Sequence, residues 1–175
     1  MVPLPLPDMS EITWVLEELF GRDIRSRESA ELPIAADTGA IISLIDDSHR
    51  VRAVWIFDIA LANIVGTALA LGHPEKAQRS TEDGVIHRDT RENVAEVVNV
   101  AASAINGEGR IHVQLGPATF VDDGSFGHDL WRSVADQARS SEGSSHSYEL
   151  SVGGYGSGRM TLMTFGFSDP DAQAP

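Results

Sequence analysis

The sequence contains no cysteine. That excludes disulfides, thiolate nucleophiles and every zinc site built on sulfur. Basic charge is also scarce. Only 13 residues are Lys or Arg against 26 Asp or Glu, giving a formal net charge of −13. Lys76 is the only lysine. Such a balance argues against a nucleic-acid backbone, which is bound through basic phosphate contacts, and against an anionic membrane surface. Long hydrophobic runs are missing too. The most apolar stretch, Ile59 to Leu71, has 13 residues, whereas a helix needs about 20 to cross a bilayer. The start, Met1-Val-Pro-Leu-Pro-Leu-Pro7, has neither a basic region nor an apolar core of the secretory type. What remains is ordinary: 175 residues, 42% hydrophobic and 22% charged, the size and balance of one globular domain. We expect a soluble cytoplasmic protein with a disordered lead-in over residues 1–9, a single domain over 10–167 and a disordered tail over 168–175.

Along the chain, Ser10 is the expected cap of a first helix, with Ile12, Val15, Leu16, Leu19 and Phe20 at helical spacing and Gly21 as the stop. Ile24 to Ser29 reads as polar connection. Leu32 to Ile45 and Arg50 to Phe57 read as strands joined at the Asp46-Asp47-Ser48 turn. Ile59 to Leu71 predicts a buried helix ending at Gly72-His73-Pro74, with Asn63 and Thr67 as its interior polar residues. Lys76 to Arg88 reads as a charged, mobile connection. Thr90 to Asn106 predicts another helix, and Ile111 to Val121 a strand around Gly116-Pro117. Phe126 to Arg139 fits either a helix or a loop, followed by a linker over Ser140 to Ser145. Tyr148–Tyr155 and Arg159–Phe167 alternate as two strands about Gly156-Ser157-Gly158, which predicts a hairpin. Helices and antiparallel strands segregate along the chain. The expected fold is therefore α+β, a mainly antiparallel sheet with the 59–71 and 90–106 helices side by side on one face.

Several familiar motifs fail. His87-Arg88-Asp89 has the letters of a kinase catalytic loop, but Asn93 stands one position too close and no glycine-rich phosphate loop accompanies it. Gly154-x-Gly156-x-Gly158 sits between strands with no helix to follow, so no helix N-terminus waits for a phosphate. The histidines are scattered without an i, i+4 pair, and we assign no metal site. Asp46-Asp47 and Asp122-Asp123 are turn formers first.

The informative segment is Arg91-Glu-Asn-Val-Ala-Glu-Val-Val-Asn-Val-Ala-Ala-Ser-Ala-Ile-Asn106. At about 100° per residue, Glu96, Asn99, Ser103 and Asn106 fall within roughly 40° of Glu92. Val94, Val97, Val98, Ala101 and Ile105 fall opposite. Every surface helix has a polar face, so a merely solvated stripe accounts for the pattern. A solvated face, however, usually mixes opposite charges at i, i+4, and Glu92 with Glu96 is a like-charge pair. A carboxylate and a carboxamide one turn apart, flanked by Ala and Ser, also leave room for a second molecule.

Glu96-Val-Val-Asn99, inside Glu-Val-Val-Asn-Val-Ala-Ala-Ser, resembles the Glu-x-x-Asn helix of the CheC/CheX/FliY phosphatases of bacterial chemotaxis, and most of all CheX. The element order over roughly residues 8 to 167, including a Gly-Pro strand after the motif helix, is similar to that family. There are departures. The CheC form has Asp or Ser four residues before the motif Glu, where this chain has Glu92. Pro117 lies nearer the motif than the strictest pattern expects. Asn63 has Ile59 and Ala60 where a second motif needs Glu, so a two-site arrangement is not expected.

The resemblance implies a phosphatase acting on the aspartyl phosphate of a response regulator's receiver domain. It implies Asn99 as the residue that orients the hydrolytic water and Glu96 as the partner of the receiver's active-site lysine, both counted as catalytic. Glu92 and Ser103 are the candidate partner contacts. It implies no cofactor of the chain's own, Mg²⁺ being supplied by the response regulator, and a homodimer, for which we expect Arg159–Phe167 to offer a free apolar sheet edge. Two other readings stand beside it: a non-catalytic module of the same fold that binds a regulator or a motor-switch protein, and an unrelated small α+β dimerisation domain.

Overall fold

A computed structural model of the chain describes residues 7–30, 37–106, 112–121 and 144–165. Helix α1 is Met9–Phe20, capped by the Asp8 carboxylate, which accepts from the Ser10 N–H. The cap lies two residues before the Ser10 the sequence suggested. Gly21 ends the helix in the left-handed conformation at φ 60°, where a glycine carries no Cβ penalty. Strands β1 (Ile24–Ser29), β2 (Thr38–Ile45) and β3 (Val51–Asp58) follow, then helices α2 (Ile59–Leu69), α3 (Pro74–Glu82) and α4 (Arg88–Ala101). A single 3₁₀ turn, Ala102–Ala104, extends α4, and β4 (Gln114–Phe120), β5 (Ser144–Val152) and β6 (Gly156–Thr164) complete the order.

The six strands form one sheet in the order β1-β5-β6-β3-β2-β4. Every pairing is antiparallel. The α+β class and the single antiparallel sheet are thus as expected. Helix α2 lies against β2, β3 and β6, and α4 packs on α2 and β4, so the two helices cover one face as the sequence predicted. Ala40, Ile42, Leu44, Trp55, Phe57, Met160 and Leu162 point into that layer, and α2, α4 and α1 bury Leu61, Val65, Val98 and Ile12 against them. The alternate residues Ile41, Val54, Ile56 and Met163 form a second buried cluster, as the period of two requires.

Four local expectations are corrected. Ile24–Ser29 is not a connection but an edge strand, registered on β5 from Ile24 opposite Val152 to Ser29 opposite Ser147. Its residues are mostly exposed, so no hydrophobic alternation announced it. Lys76–Arg88 is not a mobile connection. Its first half is α3, with Pro74 in the first turn, the His73 Nδ1 accepting from the Glu75 N–H, and an Arg79–Glu75 pair at 3.2 Å. Ala77 and Ser80 anchor it to the core. The hairpin turns at Gly153-Gly154-Tyr155, three residues early, closed by the Tyr155 N–H on the Val152 carbonyl. Ser144 and Ser145 belong to β5 rather than to a linker.

Strand β6 also lies between β5 and β3, so the expected edge over Arg159–Phe167 is corrected: its part in β6, up to Thr164, is no free edge. Among the described residues the edges are β1, which carries Arg25, Arg27 and Glu28, and β4, interrupted by Gly116-Pro117 where its register on β2 shifts. Charge, proline and irregularity are how edges avoid further pairing. The lead-in over 1–6, the 126–139 helix-or-loop and the 168–175 tail lie outside the described residues. Among the described residues no helix is long and apolar enough to cross a membrane.

Candidate functional site

The Asp8, Asp58 and His73 side chains cap their helices, but α4 starts at His87 without a side-chain cap bond. Its first turn instead holds Asp89, an acid at the positive end of the helix dipole. Lys76 donates to the Asp89 carboxylate, and this bond, ahead of local backbone N–H donors, holds its carboxyl below the usual value of 3.8. Farther along, Val94, Val97, Val98 and Ala101 are buried. Glu92, Glu96, Asn99 and Ser103 are exposed on the opposite side. The helical arithmetic therefore gives the right face for all eight residues.

Two hydrogen-bonded pairs order that face. The Asn99 Nδ2 donates to Glu96 Oε2 at 3.3 Å. The Arg88 Nε donates to Glu92 Oε1 at the same distance, one turn back. Arg88 thus brings a basic residue to the head of the stripe, one turn before the like-charge pair Glu92 and Glu96. It offsets the like-charge repulsion between Glu92 and Glu96. Asn99, with one donor committed to Glu96, keeps its carbonyl oxygen as an acceptor for a molecule arriving from outside.

Asn106, expected on the stripe, does other work. Its Nδ2 donates to the Val113 carbonyl and its Oδ1 accepts from the Val113 N–H, each at 2.8 Å. It satisfies the backbone where the chain leaves the helix toward β4. Asn63, on α2, is fully buried, with Nδ2 donating to the Val85 carbonyl at 3.0 Å and to Thr81 Oγ1 at 3.3 Å. Helix α2 therefore presents no carboxamide to solvent. Asn93, which sequence reasoning weighed only against a kinase loop, donates its amide to the Gly66 carbonyl of α2 at 3.0 Å. Helical phase sets Asn93 about 120° from Asn99 and off the stripe, but only the packing of α4 on α2 gives it a partner.

The stripe is an exposed helix face. Its residues line neither the cleft of about 390 Å³ bounded by His73, Lys76, Arg79 and His87 nor the cleft of about 370 Å³ bounded by Asp8, Glu28, His146 and Tyr148. Small molecules favour concave sites; an exposed polar helix face is open to the surface of another protein. Among the described residues no group of three His, Asp or Glu is placed to hold a metal ion.

No family model matches the chain, and no curated protein does. Solved structures do. The FliY structure of Thermotoga maritima matches with a TM-score of 0.56 over 93% of this chain and 86% of that one, at 13% identity. The chain has the FliY fold. A CheX in complex with CheY, BeF₃ and Mg from Borrelia burgdorferi also matches, with a TM-score of 0.49 at 12% identity over 89% of this chain and 93% of that one. So does the FliM middle domain from H. pylori, with a TM-score of 0.46 at 6% identity over 89% and 84%. Among these the FliY match shows the shared architecture, and at such identity it shows architecture alone. Within this FliY-type frame, Glu96 and Asn99 stand on the outward face of a helix that the sheet and α2 support from below.

Proposed function

We propose that this protein is a phosphatase of the CheC/CheX/FliY kind that docks α4 onto a phosphorylated receiver domain and hydrolyses its aspartyl phosphate. One observation carries the reading. Glu96 and Asn99, spaced as Glu-x-x-Asn, are exposed side by side and hydrogen-bonded on a domain with the FliY fold. The Asn99 carbonyl oxygen accepts from the attacking water and aims it in line with phosphorus. The water oxygen forms the new bond to phosphorus, the bond to the aspartyl oxygen breaks, and inorganic phosphate and a free carboxylate result. An amide does this without placing negative charge beside the phosphoryl group, as a carboxylate would. Glu96 uses one oxygen to hold the Asn99 amide and has the other for the receiver's lysine. Mg²⁺ belongs to the receiver, and the chain supplies neither metal nor nucleophile. Ser103 and Glu92 flank the pair as docking contacts.

The proposal carries with it a cytoplasmic signalling protein and a homodimer; such a dimer must use a surface other than β6. The first rival is a non-catalytic receiver- or switch-binding module of the same fold. One feature favours it: Glu92 is drawn to Arg88 rather than left open beside Glu96. A stripe packed inside the domain would have supported the unrelated dimerisation domain, and the stripe is exposed. The deciding experiment measures the lifetime of phosphorylated receivers from the same organism with and without the protein. A shortened lifetime supports the phosphatase. Binding with an unchanged lifetime supports the module.

A further inference from the structure

Helix α4 has to be held at one roll angle about its own axis if Glu96 and Asn99 are to aim at anything. The buried valines alone hold it weakly, because apolar contact is non-directional. A directional contact exists on α2. Gly66 belongs to the last turn of that helix, where four carbonyls lack helical partners. The Thr67 carbonyl is taken by the Gly72 N–H at 2.9 Å and the Ala68 carbonyl by the Leu71 N–H at 3.0 Å. The Gly66 carbonyl is taken by the Asn93 side chain of α4 at 3.0 Å. The same glycine lets the helices touch. A Cβ at Gly66 would stand 2.6 Å from the Thr90 carbonyl oxygen and 3.0 Å from Val94 Cγ2. Close approach and hydrogen bond therefore meet at a single residue of α2, one and two turns from Glu96 and Asn99.

We propose that the Asn93–Gly66 clasp fixes the roll of α4, making Asn93 a positioning residue for the pair Glu96 and Asn99. The inference rests on the function proposed above only for what the pair does. Asn93 lies about 60° around the helix from Glu96, at the border between the exposed stripe and the buried face. It is half-buried there. A roll of about 20° moves a side-chain tip at a radius of about 5–6 Å through about 2 Å. Reacting groups have to be held to roughly 0.5 Å, so a released clasp costs rate even though neither Glu96 nor Asn99 is altered.

The absence of native cysteine makes the roll measurable. Single cysteines at Ala95 and Val100, both half-buried, flank the stripe on opposite sides, about 100° and about 40° from Glu96. Their labelling by a thiol reagent follows their exposure. In Asn93→Leu, and in Asn93→Ser should the leucine prevent folding, the two labelling rates should move in opposite directions, changing their ratio by about threefold or more. In the native-cysteine-free background, the same substitutions should lower the dephosphorylation rate at saturating receiver by about tenfold while leaving receiver affinity within about twofold. A clasp that is only structural would raise both labelling rates together, and that result overturns the proposal. An unchanged ratio overturns it as well, and so does a shifted ratio with an unaltered rate. If the unsubstituted protein shortens no receiver's lifetime, the phosphatase reading fails, and the labelling ratio alone still decides whether Asn93 sets the roll.

Discussion

Asp58 ties three elements together at the foot of the domain, and its removal gives the sharpest stability test. It ends β3 and caps α2, accepting from the Leu61 N–H at 2.7 Å. Its second oxygen accepts from the Arg159 N–H of β6 at 2.8 Å, with the Arg159 Nε at 3.6 Å. Asp58→Ala removes a helix cap, about 1 kcal/mol. It also strips a partly buried backbone donor of this acceptor, about 1–3 kcal/mol. Relief of a desolvated carboxylate offsets part of the loss, since Asp58 is only 7% exposed. The net expectation is about 2–3 kcal/mol, or about 4–12 °C in Tm for a chain of this size. Asp58→Asn keeps one acceptor and should lose about half as much. Circular-dichroism melts and urea titrations read both. A loss below about 0.5 kcal/mol for Asp58→Ala would refute the junction.

The pH dependence follows from the same residue. Burial pushes the Asp58 carboxyl above 3.8, against the opposing pull of the Leu61 and Arg159 hydrogen bonds. A raised value in the folded state means that its proton stabilises the fold. That contribution is complete below 3.8 and lost as pH rises through the folded value. Wild type should therefore gain on Asp58→Asn as pH falls through that window. A difference between the two proteins that is flat there, or of opposite sign, contradicts the assignment.

Three further outcomes are expected. Asn99→Ala should slow receiver dephosphorylation roughly a hundredfold, the equivalent of about 3 kcal/mol, with receiver affinity intact; Glu96→Ala should weaken both rate and binding and reduce their salt dependence, as a phosphorylated-receiver lifetime assay reads. Asn106→Leu should cost about 1–3 kcal/mol in urea unfolding, because the Val113 N–H and carbonyl both lose their partner. Gly158→Ala should lower Tm through a clash of about 1–3 kcal/mol, since its Cβ would stand 2.6 Å from the Leu61 N and 2.7 Å from Asp58 Oδ1; an unchanged Tm would mean that β6 and α2 yield at no cost.

Much of the motif helix could be read from residue order because its period is local. The valines at 94, 97 and 98 and the polar residues at 92, 96, 99 and 103 divide at 3.6 residues per turn whatever lies around them. The α+β class followed in the same way from strands and helices segregated along the chain. Residue order alone could not separate Asn99 from Asn106 or show what Asn93 holds. All three are asparagines on or next to one helix, yet Asn99 faces solvent, Asn93 holds the Gly66 carbonyl and Asn106 holds the Val113 backbone. Nor could it reveal β1, whose exposed, charged residues become a strand only because β5 supplies the hydrogen bonds. It could not place β6 in the middle of the sheet, since an apolar alternating strand looks the same at an edge as beside β3. Periodicity is a property of the nearest few residues. Partnership across the fold joins residues such as Gly66 and Asn93, 27 apart in the chain, and only the packed tertiary structure brings them together.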